Sequence, residues 1–210
     1  MSKKENSNAS CVLNGKIVFF ATGNINKFNE ARVIVGSYGL AVAMLRVKGE
    51  EIQSDRLQDI AKASVINAFK ASGLPIFVED AGLFIEALGG FPGPYAAYVY
   101  KTIHNGGILK LMKDAEDRHA KFQSVIAYLD ENQPEPRCFE GESDGEITLT
   151  ERKRQGKAAF GFDPIFQPDG SGKAFAEMTI EEKNGFSHRA KAIRKFAEWY
   201  KQTLNSPGKE

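Results

Sequence analysis

Cysteine is scarce in this chain. There are two in 210 residues, Cys11 and Cys138, with no CxxC spacing. That pattern excludes a disulfide framework and a zinc knuckle, and reads as two ordinary thiols of a reducing compartment. Histidine is scarce as well: His104, His119 and His188 show no HxxEH-type spacing, so zinc chemistry has no support. No run approaches the ~18 apolar residues of a membrane span. Met1 to Ser10 is polar and lacks the apolar core of a signal peptide. A dominant charge is missing too, with 28 basic residues against 27 acidic ones. That near-cancellation argues against a nucleic-acid wrap or a membrane-surface binder. These absences predict a cytoplasmic protein without nucleic-acid or membrane partners, with residues 1–15 as a flexible tail and residues 16–204 as one domain.

Apolar residues make up 42% of the chain, and 15 of them are Phe. At this length roughly 70% of the unfolded surface can be buried. Lys16 to Ala21 is short, β-branched and aromatic, as buried strands are. A loop at Thr22-Gly23-Asn24 follows, then Phe28, Ala31, Ile34, Val35 and Tyr38 spaced as one helical face, with Gly39 placed to end it. Leu57, Ile60, Ala61, Ser64, Val65, Ala68 and Phe69 form a second helical face that Gly73 stops. Leu74 to Val78 reads as a strand that delivers Glu79 and Asp80 at its C-terminal end. Residues 89–94 read as a loop, 108–112 as a helix, and 122–129 with 138–147 as an antiparallel hairpin. Thr179 to Glu182 has capping-box spacing, with Gly185 closing that short helix. Ser187 then caps a last helix whose buried face is Ala190, Ile193, Phe196, Ala197 and Tyr200. The mixture predicts one α/β fold around a central mixed β-sheet flanked by helices.

Four groups of residues could carry chemistry, and each has an ordinary reading beside the functional one. A strand running into Thr22-Gly23-Asn24 and a helix aims backbone N–H groups and the helix dipole at one point, with Lys27 in the first turn; such places bind phosphate, though Gly-Asn after a strand is commonly just a turn. There is no GxxxxGK[ST] and no GxGxxG, so neither a P-loop nor a Rossmann site is supported. Glu79 and Asp80 should point to opposite faces of their strand, so one can face a cleft while the other braces it. Hard carboxylate oxygens suit Mg²⁺, and Asp55, with Glu51 behind it, is a further donor or else a helix cap. Phe160-Gly161-Phe162-Asp163-Pro164 offers a ring that could stack on a base, or an aromatic core strand ending in a turn. Ser187-His188-Arg189 places cations in the first turn of a helix, against the dipole, which an electronegative ligand would relieve; Lys183 lies close by. His104 and His119 read as ordinary residues.

At this point the chain resembles the inosine triphosphate pyrophosphatase family, in wording closest to its archaeal branch. The matching segments run in the family's order over roughly residues 16 to 200. They are Ala21 to Lys27, Val78 to Leu83, Leu88 to Tyr95, Phe160 to Phe166, and Phe175 through Lys183 to Arg189. The resemblance implies an elongated α/β fold and hydrolysis of noncanonical purine nucleoside triphosphates (ITP, dITP, XTP) to monophosphate and pyrophosphate, with Mg²⁺ as cofactor and a homodimeric assembly. It implies that Thr22, Gly23, Asn24 and Lys27 hold the phosphates, that Asp80 is the metal-linked catalytic acid, and that Asp55 falls near the second metal carboxylate without excluding Glu51. Phe160 would be the ring that stacks on the purine, Gly161 and Phe162 would be substrate-binding residues beside it, and Asp163, Lys183, His188 and Arg189 would line the nucleotide pocket. Ala81 stands where members often carry Ser or Thr, leaving only its backbone N–H for the substrate. A nucleotide-binding or sensor protein without catalysis is the alternative on the same scaffold; the retained Asp80 and Lys27 speak against it.

Overall fold

The structure is a computed structural model that describes residues 17–47, 52–154, 156 and 160–205. The expected tail, Cys11 and Glu51 lie outside the described residues.

Strand β1 (Ile17–Ala21) buries Val18 and Phe20 completely on one face, and helix α1 (Ile25–Ser37) turns back over it. Strand β2 (Ala41–Leu45) follows and pairs with β1 in parallel. Helix α2 (Leu57–Ser72) ends at Gly73 in the left-handed conformation, φ 64°, where glycine carries no Cβ penalty. Strand β3 (Ile76–Ile85) then runs beside β1, but only Ile76 and Phe77 pair with it. The expected strand end after Val78 is therefore not an end. Along its other edge β3 pairs antiparallel with β5 (His119–Leu129) over ten residues, and that ladder carries the strand on to Ile85. Glu79 and Asp80 sit mid-strand, at the point where the parallel neighbour stops.

Strand β4 (Pro92–Gly93) pairs with the far end of β3, and helix α3 (Ala96–Leu111) follows it. Strand β6 (Arg137–Ile147) completes the expected hairpin with β5, and β7 (Phe166–Pro168) adds an edge. The seven strands form one mixed sheet, ordered β2-β1-β3-β5-β6-β7 with β4 off β3. Helix α4 (Ile180–Phe186) begins with the expected capping box. Thr179 Oγ1 accepts the Glu182 N–H at 3.1 Å, and the Glu182 carboxylate accepts the Thr179 N–H at 2.8 Å. Gly185 lies inside this helix and does not end it; Ser187 does. Ser187 Oγ also caps helix α5 (His188–Asn205) by accepting the Ala190 N–H at 3.1 Å.

Alternation along the strands divides the core. Phe20, Phe77, Ile126 and Tyr128 face α1 and α5, while Ile76, Val78, Val125 and Ala127 face α2. A third cluster joins the far ends of β3 and β5 to α3 and to Phe162, Phe166 and Phe175. All five residues expected on the buried face of α5 are buried.

Helix α3 is longer than the expected 108–112 and is kinked at His104, whose φ of 55° and ψ of −169° suit glycine. Such a conformation costs about 1–3 kcal/mol in a residue with a Cβ. His104→Gly should raise stability by about 1 kcal/mol after the entropy loss of glycine and the edge contact with Tyr100 are set against it. Thermal unfolding should show a midpoint higher by about 2–4 °C; a lower midpoint would mean the kink is not held in solution.

Candidate active site

Asn24 begins the site. Its Oδ1 accepts the N–H groups of Asn26 (3.0 Å) and Lys27 (3.3 Å), and its own N–H donates to Thr22 Oγ1 at 3.1 Å. The loop predicted to hold phosphate is thus an ordered N-cap, and the cap side chain engages two N–H groups that an anion would otherwise take. Lys27, on the first turn, crosses to β3. Its ammonium lies 2.7 Å from Glu79 Oε2 and donates to the Glu79 carbonyl at 3.2 Å. That carbonyl belongs to the stretch of β3 beyond its pairing with β1.

Glu79 faces the α5 side, where Ser124 Oγ donates to its Oε1 at 2.7 Å and Arg189 Nε donates to the same oxygen at 3.0 Å. Arg189 Nη1 donates to Glu30 Oε2 at 2.6 Å. Lys183 Nζ reaches Glu30 Oε1 at 2.8 Å and Asp163 Oδ2 at 2.6 Å. Three carboxylates and three cations therefore form one connected network, with all but Lys27 buried. The charge conflict expected at the start of α5 is resolved inside the protein: Arg189 has Glu30 and Glu79 as partners. His188 adds no charge. It is buried flat against Phe122, ring centroids 4.6 Å apart, and burial together with the Arg189 charge holds its pKa well below the usual value.

The carboxylates differ in state. Burial pushes Glu30 up, but Arg189 and Lys183 outweigh it and hold the group at about 2. Glu79 is likewise held far below the ordinary range, with Arg189 and Lys27 overcoming its desolvation. For Asp163 burial prevails over Lys183 and raises its pKa. Lys183 is kept charged because Asp163 and Glu30 together offset its burial.

The aromatic segment divides in two. Gly161 turns the chain with φ 52°, and Phe162 packs into the core edge-on to Tyr100 at 5.5 Å. Phe160 is half-buried, with the Lys183 ammonium and the Arg189 guanidinium carbon each 5.7 Å from its ring centroid. Of the two rings, Phe160 is the one beside the cations.

Asp80 and Ala81 lie next in the strand. Asp80 Oδ1 accepts the Ala81 N–H at 3.0 Å, so the one backbone donor that Ala81 offers is directed to Asp80. In the register Asp80 shares the α2 side with Val78, opposite to Glu79. Asp55 is exposed just before α2, in a hollow of about 230 Å³ that Gln123, Ser124 and Glu140 also line and Asp80 does not. No cluster of three or more His, Cys, Asp or Glu set to hold a metal occurs among the described residues. A metal such as Mg²⁺ needs only one or two protein carboxylates and completes its shell with phosphate and water, so hard carboxylate oxygens of the Asp80 or Asp55 kind suit it, whereas a metal that requires a full protein cage finds none among the described residues.

Glu30 escaped sequence reasoning. Its signal was present, because positions 27, 30, 31 and 34 share one face of α1, where an acid beside Ala31 and Ile34 stands out. Gly141 escaped it too. A Cβ there would overlap the His188 carbonyl oxygen and come within 2.5 Å of the Ala192 amide nitrogen. This glycine lets the first turn of α5 seat against β6. Gly141→Ala should cost about 1–3 kcal/mol of stability and weaken ligand binding at Arg189. Gly145→Ala is the control, since its Cβ would overlap the Gln167 carbonyl oxygen on β7. It should destabilise without weakening ligand binding; equal losses of binding in both variants would deny Gly141 this role.

A mixed sheet whose strand–loop–helix unit opens beside a buried charged cluster and an aromatic ring defines an α/β protein. The chain belongs to the Ham1 family, whose model matches residues 18–199. It is 48% identical over 187 residues to a dITP/XTP pyrophosphatase of Methanopyrus kandleri, covering 89% of this chain and 97% of that one. It is also 48% identical over 185 residues to a dITP/XTP pyrophosphatase of Thermococcus kodakarensis, covering 88% and 97%. The solved HAM1 protein of Coxiella burnetii superposes with a TM-score of 0.76 at 28% identity, over 89% of this chain and 98% of that one.

Proposed function

We propose that this chain hydrolyses noncanonical purine nucleoside triphosphates, ITP, dITP and XTP, to the monophosphate and pyrophosphate. The observation that carries the reading is the convergence of Lys27, Lys183, Arg189 and Phe160 through Glu79 and Glu30, in a member of a family whose relatives are named for this reaction. Thr22, Gly23, Asn24 and Lys27 receive the polyphosphate. Phe160 stacks on the purine, with Gly161 and Asp163 shaping that end of the pocket and Phe162 bracing it from the core. Arg189 has Nε and Nη1 committed to Glu79 and Glu30, which orients the guanidinium so that its remaining edge can donate to a 6-oxo group. An adenine presents a 6-amino donor there and leaves the arginine unsatisfied, a penalty that can reach on the order of 10⁴ in specificity. Neutral His188 lines the same pocket.

Asp80 takes a proton from water or orients it toward the α-phosphorus; the new P–O bond forms as the α–β phosphoanhydride bond breaks and pyrophosphate leaves. Lys27, Asn24 and Lys183 stabilise the developing negative charge. Asp80 and Asp55, or Glu51 outside the described residues, would hold Mg²⁺, which when bound neutralises charge on the departing pyrophosphate. Exposed Tyr98, Leu111 and Phe91 on and before α3 support a homodimeric assembly. No described helix is long and apolar enough to cross a membrane, and the composition supports a cytoplasmic enzyme. The test is pyrophosphate release from ITP, XTP and ATP with and without Mg²⁺; equal rates on ATP and ITP would refute the selectivity.

A further inference from the structure

Lys27 belongs to the phosphate end of the site and Arg189 to the base end. They come from α1 and α5, helices that begin at residues 25 and 188. One side chain touches both. Glu79 gives Oε2 to Lys27 at 2.7 Å and Oε1 to Arg189 at 3.0 Å, and its side chain has no solvent exposure. Glu30 does not duplicate this link, since its partners are Lys183 and Arg189. Among the described residues, Ser124 donates the further hydrogen bond to the Glu79 carboxylate.

We infer that Glu79 is a positioning residue that couples phosphate binding to base recognition. The inference rests on the proposed nucleotide site. A polyphosphate at the loop draws the Lys27 ammonium toward itself and away from Glu79. A fully buried carboxylate cannot turn to water for a replacement. Its charge then falls on Arg189 and Ser124, and the guanidinium is held more firmly in one pose. A purine carbonyl arriving next meets an arginine whose ordering cost has already been met. By linkage the effect is reciprocal: a base bound at Arg189 strengthens phosphate binding by the same factor. The half-site that every nucleotide shares thereby sharpens the half-site that distinguishes them.

The experiment uses probes that need no turnover: pyrophosphate for one end and inosine for the other, titrated singly and together with Mg²⁺ present. The wild type should bind inosine about 5-fold or more tightly when pyrophosphate is saturating. In Glu79→Gln the factor should fall to about one. Pyrophosphate alone should bind that variant no more weakly than the wild type, because Lys27 is released from its internal partner. The ratio of kcat/KM for ITP to that for ATP should fall in the same variant. Ser124→Ala keeps the charge and removes the donor that shares Oε1 with Arg189, so more of the charge falls on Arg189 and the factor should rise. If Glu79→Gln does not fold, Ser124→Ala carries the test, and an unchanged factor there overturns the proposal. A factor of one in the wild type, or full coupling in Glu79→Gln, also overturns it. A wild type that releases no pyrophosphate from ITP would refute the proposed reaction while the coupling measurement stands. One that turns ITP over without coupling would refute the coupling alone.

Discussion

Asp80→Asn should lower turnover of ITP by about 10²–10⁴-fold, the range that a positioned general base contributes, with KM changed little. The substitution keeps the shape of the side chain and, in one amide orientation, the acceptor for the Ala81 N–H now met by Oδ1. It removes the negative charge and the basicity. The phosphate and base contacts proposed for Lys27, Phe160 and Arg189 are left unchanged by the substitution, so binding should fall far less than turnover. Single-turnover and binding measurements separate the two. Full turnover by Asp80→Asn would remove Asp80 from the chemistry, and a lost affinity with intact kcat would make it a binding residue.

Lys183→Met should destabilise the protein by about 3–5 kcal/mol, the usual cost of removing one partner from a buried ion pair. Methionine fits the stem of the lysine, but it leaves Glu30 with Arg189 alone and Asp163 without its ammonium. Urea unfolding measures the loss, and a change below about 1 kcal/mol, the value of an exposed pair, would mean the network is open in solution. The same network sets the response to acid. Glu30 and Glu79 have native pKa values below the ordinary carboxylate range, Glu30 at about 2. Between the ordinary value of 4.5 and those values the unfolded chain binds more protons than the native one. Their stabilisation is therefore complete above about pH 4.5 and is lost as pH falls toward 2. His188, kept neutral by burial, adds an earlier decline below its ordinary value of 6.5. Asp163, raised by burial, acts in the opposite direction, and the two glutamates outnumber it. Unfolding midpoints should fall in acid; a profile flat from pH 7 to pH 3 would contradict these assignments.

Helices α1, α2 and α5 were legible in the sequence because each displays its period, while most of α3 was not. Phe28 to Tyr38, Leu57 to Phe69 and Ala190 to Tyr200 mark their buried faces, and Thr179 to Glu182 and Ser187 mark two starts. The extension of β3 past Glu79 was not legible. Polar residues after an apolar run read as a strand end, and only the long-range ladder with β5 continues the strand. The kink at His104 was hidden for a similar reason, since nothing about a histidine announces a positive φ. At the site, the separate parts could be read, but their wiring could not. Lys27 and Glu79 are 52 positions apart and Glu30 and Arg189 are 159 apart. The expectation of an unbalanced cation cluster at the start of α5 failed because its counter-charges Glu30 and Glu79 sit in a different helix and a strand, with no local clue to their partner. Composition does not separate Phe160 from Phe162, and only the family resemblance singles out Phe160; the left-handed Gly161 between them sends Phe162 into the core and leaves Phe160 beside the cations.

Product analysis with ITP and ATP as competing substrates in the presence of Mg²⁺ tests the central claim most directly. The account predicts IMP and pyrophosphate in equal amounts from ITP, with ATP left largely intact. Tight binding of ITP without pyrophosphate release, or cleavage of ATP at an equal rate, would contradict it.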